Sequence, residues 1–235
     1  MTLEPGSADI IQLAWARHLG FDDADFAAAA GSRLTRADDS RRSVDFVRLF
    51  GSSALVGPQW ALDAAAGIPD EELAQHVTLL TITRPHGGHG LGAAALFFAD
   101  ELPLLQPAEE LTVSHGNPEA VELEGRCPPD DVNEVRLSGL PHRFTIMRDD
   151  GGPVPVACGA YAEWEGILAD LGVLVDPEWR RRGLGSLAAS IAAHEALASG
   201  LTLQWRSDVS NKGSLAIARS LGFAVGGILT SVRLG

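Results

Sequence analysis

The stretch from Val175 to Ser186, VDPEWRRRGLGS, limits most strongly what this chain can become. It reads as a strand end, a proline turn, an arginine-rich glycine loop and the start of an alanine-rich helix. Its core is Arg180-x-x-Gly183-x-Gly185. Glycine lets backbone N–H groups come close to a ligand, and the helix that follows turns its positive end to the same spot. A strand, loop and helix joined this way make a seat for a diphosphate. The spacing is neither the dinucleotide fingerprint nor a P-loop, and no Gly-Lys-Ser/Thr is present to hold a nucleoside triphosphate and its magnesium. The ligand class it suggests is coenzyme A.

At 235 residues the chain has room for one large or two compact domains. Apolar content of 46% and charged content of 21% fit a globular protein. A formal net charge of −13 argues against a nucleic-acid partner. It mildly favours a cationic partner such as an amine, with plain surface solvation as the alternative. The two cysteines, Cys127 and Cys158, have no metal-ligand spacing and make no disulfide framework. A reducing, cytoplasmic setting is the default. No apolar run approaches the ~20 residues of a transmembrane helix, so no membrane partner is expected. The start, MTLEPGSADI, lacks the basic and apolar segments of a signal peptide.

The chain divides at the proline-punctuated stretch Leu102–Pro107, giving an N-terminal domain over 1–105 and a second over 106–235. The first reads as a smaller α/β domain. Helices are expected over 9–19 and after Asp22, a strand pair over 43–56 with its turn at Gly51-Ser52-Ser53, and helices from Pro58 and from Pro69. The β-branched run Val77–Thr83 reads as a strand, and Ala93–Ala99 as strand or helix. Between them, Gly87-Gly88-His89-Gly90-Leu91-Gly92 echoes the Arg180 loop. A flexible loop is the favoured reading, ahead of a degenerate repeat of the second domain. In the second domain, short helices are expected over 118–123 and 130–137. A hairpin of 143–148 and 154–164 turns at Asp149-Asp150-Gly151-Gly152, and a third strand covers 167–175. Beyond the loop come a helix over 184–198, a strand over 201–206, a helix over 211–221 and closing strands.

Four features in order carry a resemblance. They are Val173-Leu174-Val175-Asp176-Pro177, the loop Arg180-Arg181-Arg182-Gly183-Leu184-Gly185, the strand with Gln204-Trp205-Arg206, and Asn211-x-x-Ser214 before Ala218-Arg219-Ser220-Leu221-Gly222-Phe223. Residues 106–235 thereby resemble the GNAT superfamily of N-acetyltransferases. The N-terminal part is faintly similar to accessory regions of bacterial GNAT proteins. The resemblance implies an α+β fold, a mixed and mostly antiparallel sheet flanked by helices. It implies acetyl-CoA as co-substrate. The pantetheine arm would pair with the strand at Val173, Leu174 and Val175. The diphosphate would rest on amides from Arg180, Arg181, Arg182, Gly183, Leu184, Gly185 and Ser186, with Asn211 and Ser214 facing the cofactor.

The resemblance further implies direct transfer of an acetyl group to a primary amine of a small molecule or protein, by a chain that could form a homodimer. The general base is sought among Asp170 and Glu163 first, then Glu165 and Glu134. Many members carry a tyrosine where this chain has Ala218, and the single tyrosine is Tyr161. The proton donor is then Ser214, a water, or none. A non-catalytic acyl-CoA-binding module is the alternative. The small residues Gly159 and Gly172 would leave room for an acyl chain longer than acetyl.

Overall fold

The computed structural model describes residues 3–105, 112–149 and 151–235. The expected domain boundary after residue 105 and the hairpin residue Asp150 touch positions outside them.

The elements run in chain order: α1 (Ser7–Leu19), α2 (Asp25–Ala28), β1 (Arg33–Ala37), β2 (Ser43–Leu49), β3 (Ser52–Gly57), α3 (Gln59–Ala65), α4 (Asp70–Leu73), α5 (His76–Thr83) and β4 (His89–Ala99). Next come β5 (Thr112–Ser114), α6 (Asn117–Arg126), α7 (Pro129–Val135), β6 (His142–Asp149), β7 (Pro153–Trp164), β8 (Leu168–Val175), α8 (Leu184–Ala198), β9 (Thr202–Asp208), α9 (Lys212–Ser220) and β10 (Ala224–Arg233). Among the described residues no helix is long and apolar enough to cross a membrane.

The chain forms two compact units. One holds Phe98–Trp205 and Gly213–Ala224, the other Leu3–Phe97, Arg206–Lys212 and Val225–Gly235. Residues 206–212 and 225–235, inside the expected second domain, therefore cluster with the N-terminal unit. The N-terminal unit orders its strands β1-β3-β2-β10-β4. The chain's last strand lies antiparallel to β2, from Gly227 opposite Leu49 to Arg233 opposite Ser43. Val232 of that strand is buried with Val44, Phe46, Leu55, Leu73 and Leu79.

Two expectations fail in this unit. Val77–Thr83 is not a strand but helix α5. Its β-branched threonines turn their hydroxyls back on the helix, Thr81 to the Val77 carbonyl and Thr83 to the Leu79 carbonyl, both at 2.7 Å. The glycine cluster is not simply a loop, because β4 begins at His89. Positive φ at Gly90 (60°), Leu91 (60°) and Gly92 (146°) bends that start sharply.

The second unit orders its strands β9-β8-β7-β6-β5. β8 runs parallel to β9, and every other neighbouring pair is antiparallel. The sheet is thus mixed and mostly antiparallel, with helices on both faces, as expected. One face is covered by α6, α7 and the turn after them, through Ala120, Leu123, Val132, Val135 and Leu137 against Cys158, Ala160 and Leu174. The other carries α8, whose Leu184 and Ala188 meet Ile146, Val156 and Ala157. Five α8 alanines, at 188, 189, 192, 193 and 196, are completely buried, so the helix lies unusually close to the strands.

Gly159 shows how close. A Cβ there would lie 2.0 Å from the Ala188 carbonyl oxygen. A Cβ on Gly172 would lie 2.7 Å from Val135 Cγ1. Both positions are filled by neighbours, so neither glycine opens space for a longer acyl chain.

Candidate active site

At its C-terminal end β8 turns on a capped corner. The Asp176 carboxylate, 2% exposed, accepts the Glu178 N–H at 2.9 Å and Arg126 Nε at 2.6 Å. That bond to Asp176 holds Arg126 more firmly protonated than an ordinary arginine. The Asp-Pro pair builds a short 3-10 turn, Pro177–Trp179, with proline at a position that needs no N–H donor. Arg182 then stacks over the half-buried Trp179 ring, 4.7 Å from its centroid.

The loop enters α8 through two left-handed residues, Arg181 at φ 61° and Gly183 at φ 78°. Gly183 is the N-cap and supplies no side chain to the helix end. The first helical bond here runs from the Leu187 N–H to the Gly183 carbonyl at 3.1 Å. The N–H groups of Leu184, Gly185 and Ser186 precede it, so the helix itself supplies them no acceptor. Gly185 packs closely on its neighbours: a Cβ would lie 2.9 Å from Ile217 Cδ1 on α9 and 3.4 Å from Val175 Cγ2. The three amides, with the positive end of a 15-residue helix behind them, form a candidate anion seat.

Beside this seat two strands part. β8 pairs with β9 from Leu168 opposite Thr202 to Leu171 opposite Trp205, and the pairing stops there. On its other edge β8 stays paired with β7 as far as Val175. The Asp176 N–H donates to Val156 O at 3.0 Å, which fixes the alternation: peptide groups of Gly172 and Leu174 point to β7, and those of Val173 and Val175 point away. Leu174 therefore departs from its expected role. Its backbone is spent on β7 and its side chain is buried against α6. The Val175 carbonyl is also engaged, by Arg180 Nε at 3.1 Å and by Cys127 Sγ at 3.6 Å. What faces the parting is the Val173 peptide group and the Val175 N–H.

The arginines divide their work. Arg180 reaches across to α7, where Nη2 meets Asp131 Oδ2 at 2.6 Å. It ties the loop to the helix that covers Gly172. Arg182 donates to the Glu178 carbonyl at 3.2 Å. Arg181 is exposed on the loop.

Register sorts the candidate bases. Asp170 pairs with Ala162 and Glu163 with Ala169, so their side chains project to opposite faces of the sheet. Asp170 shares the α6/α7 face with Gly172 and is half-buried, with Oδ1 accepting from Gln204 Nε2 at 3.2 Å. Glu163 is exposed on the α8 face, Glu165 sits in the tight turn after β7 at φ 54°, and Glu134 is exposed on α7.

Ser214 Oγ accepts from Trp205 Nε1 at 2.9 Å, which pins the start of α9 to β9. Ala218 is completely buried, and Tyr161, 3% exposed, stacks on His142 with ring centroids 4.4 Å apart. Asn211 precedes α9, and its N–H donates to the Asp208 carbonyl at 3.0 Å. Asn211 falls in a segment that clusters with the N-terminal unit. Burial pushes the Cys127 thiol up to about 11 and raises Cys158 as well, so neither is a ready thiolate nucleophile at neutral pH.

Sequence reasoning missed Arg126, Asp131, Asp176 and Gln204 as site residues. Asp before Pro at a strand end was a readable cue for a capping turn. Gln204, polar inside LTLQW, was a readable oddity. Nothing local marks Arg126 or Asp131.

The model of the acetyltransferase (GNAT) family matches residues 114–223. No curated protein matches the chain. Among solved structures, a GNAT-family protein from Novosphingobium aromaticivorans is similar at TM-score 0.49 and 19% identity, over 63% of this chain and 67% of that one. A GCN5-related N-acetyltransferase from Kribbella flavida is similar at TM-score 0.49 and 21% identity, over 66% of this chain and 63% of that one. Another from Sphaerobacter thermophilus reaches TM-score 0.47 and 18% identity, over 67% and 56%. The chain thus spans about two thirds or less of the length of these neighbours. The match to the GNAT acetyltransferase family covers the segment that holds the parted strands and the glycine loop.

Proposed function

We propose that this chain is an acetyl-CoA-dependent N-acetyltransferase that moves an acetyl group directly to a primary amine of a small molecule or protein. One observation carries the reading: β8 leaves β9 after Leu171, beside a helix start whose first three amides have no helical partner. An exposed parallel edge and an anion seat, side by side, fit an elongated ligand with amide groups along one part and a diphosphate at one end. The fit is polar as well as steric, since the Val173 peptide and the Val175 N–H can extend the sheet onto a ligand amide. The bound thioester would supply an activated acyl carbon.

The chain's own residues do the rest. The amides of Leu184, Gly185 and Ser186 hold the diphosphate and so fix the ligand's distance along β8. Val173 fixes its depth. Backbone N–H groups on the parted strand can also stabilise an oxyanion. Asp170, beside the parting on the α6/α7 face, takes the proton of the attacking amine. The negative charge of the chain, −13, suits a cationic acceptor approaching from solution.

The test pairs binding with turnover. Acetyl-CoA should raise the melting temperature, and with a panel of amines it should release free thiol together with an acetylated product seen by mass. If acetyl-CoA gives neither stabilisation nor thiol with any amine, the reading is wrong.

A further inference from the structure

We propose that Gln204 is a positioning residue for Asp170. The inference deepens the proposed acetyl transfer and rests on it.

Gln204 is completely buried, flanked by the buried Leu203 and Trp205 in a strand otherwise suited to packing. A carboxamide in such a place is costly unless bonded. One of its bonds goes from Nε2 to Asp170 Oδ1 at 3.2 Å. The two residues stand side by side in the parallel register, one rung before the last pair, Leu171 and Trp205. The bond therefore sits where β8 and β9 begin to separate. With Oδ1 held by an amide that burial keeps still, the carboxylate has a fixed plane at the edge of the parting.

Alternation along β8 places Asp170 and Gly172 on one face, and Gly172 lies under Val135 and Leu140. Arg180 secures α7 to the loop through Asp131. The carboxylate thus shares its sheet face with a helix that is fastened to the phosphate seat. Glu163 projects from the opposite face. In the step, the amine nitrogen forms a bond to the acyl carbon and gives its proton to Asp170. The carbon–sulfur bond breaks with its electron pair on sulfur, and the proton passes from Asp170 through solvent to the thiol product.

The test is a double-mutant cycle on the full chain, using an amine identified by thiol release. Asp170→Asn should lower kcat about 10²- to 10⁴-fold. Gln204→Met, similar in shape but without the amide, should lower kcat about 10- to 100-fold, with KM for acetyl-CoA within about twofold of wild type. On the Asp170→Asn background the same change should cost less than about twofold, because the group it positions has gone. A purely structural role would give equal losses in both backgrounds, and that result overturns the proposal. So does wild-type kcat in Asp170→Asn, which would leave acetyl transfer itself standing. Failure to cleave acetyl-CoA with every amine overturns both readings. If Gln204→Met does not fold, Gln204→Asn, whose amide is retracted by one methylene, is read in the same cycle.

Discussion

Replacing Gly159 with alanine should separate α8 from the sheet, and the size of the effect follows from distances. The new Cβ would lie 2.0 Å from Ala188 O, 2.5 Å from Ala188 C and 3.2 Å from Ala189 N. Carbon and oxygen ordinarily approach no closer than about 3.3 Å. The obstacle is helix backbone, so no rotamer can relieve it, and α8 must lift by roughly 1 Å. A gap of that size forfeits about a quarter to a half of each dispersion contact along the helix. The contacts at risk are those of the five fully buried alanines. Overpacking usually costs about 1–3 kcal/mol, and a backbone obstacle on both sides puts this change at about 3 kcal/mol. At roughly 2–4 °C per kcal/mol for a chain of this size, the melting temperature should fall by about 6–12 °C, read by circular dichroism. The lifted helix also carries the anion seat, so stabilisation by acetyl-CoA should shrink in the same variant. Gly172→Ala is the control. Its Cβ meets only side-chain atoms, Val135 Cγ1 at 2.7 Å and Leu140 Cδ1 at 3.2 Å, which can turn away. Its loss should be less than half as large. A Gly159→Ala melting temperature within about 2 °C of wild type would refute the close-packing argument.

Asp131→Ala removes an ion pair whose partners are 37% and 41% exposed, so stability should change by less than about 1 kcal/mol. The loop loses its tie to α7, and KM for acetyl-CoA should rise several-fold with kcat nearly unchanged. Steady-state kinetics would refute this if kcat fell instead. Cys127 carries a pH dependence. Its folded thiol, pushed up to about 11 by burial, keeps a proton that the unfolded thiol loses near pH 9. Folding then gains fully below about pH 9, and the gain is lost as pH rises towards about 11. Thermal melts from pH 7 to 10 should show a steeper alkaline decline in wild type than in Cys127→Ser, and equal slopes would contradict it. Ending the chain at Ala224 removes the partner of β2 along Ser43–Leu49. Limited proteolysis should then cut within Leu3–Phe97 much faster than in the full chain, and unchanged protection would show that β10 is dispensable.

The corner, loop and first turn of α8 were readable because each depends on neighbours in sequence. Proline sets φ, Gly183 tolerates a left-handed backbone, and the alanines that follow propagate a helix. The hairpin of β6 and β7 was readable for the same reason. Val77–Thr83 was misread because β-branching is only a weak bias. Leu79 is completely buried in the N-terminal core, and that tertiary packing outweighs the local propensity. The His89–Gly92 segment was misread because glycine marks loops and bent strand starts alike. Partner choice was illegible throughout. Nothing in Gly227–Arg233 says that its neighbour is Ser43–Leu49, and nothing in Pro129–Val135 says that Asp131 will meet Arg180. Such choices are settled by which strand edges and charges remain unsatisfied once local structure has formed, a condition no window of sequence contains. Gln204 lies between these cases. A polar side chain set among Leu203 and Trp205 announces that something must bond it, and only the parallel register with β8 names Asp170 as the group that does.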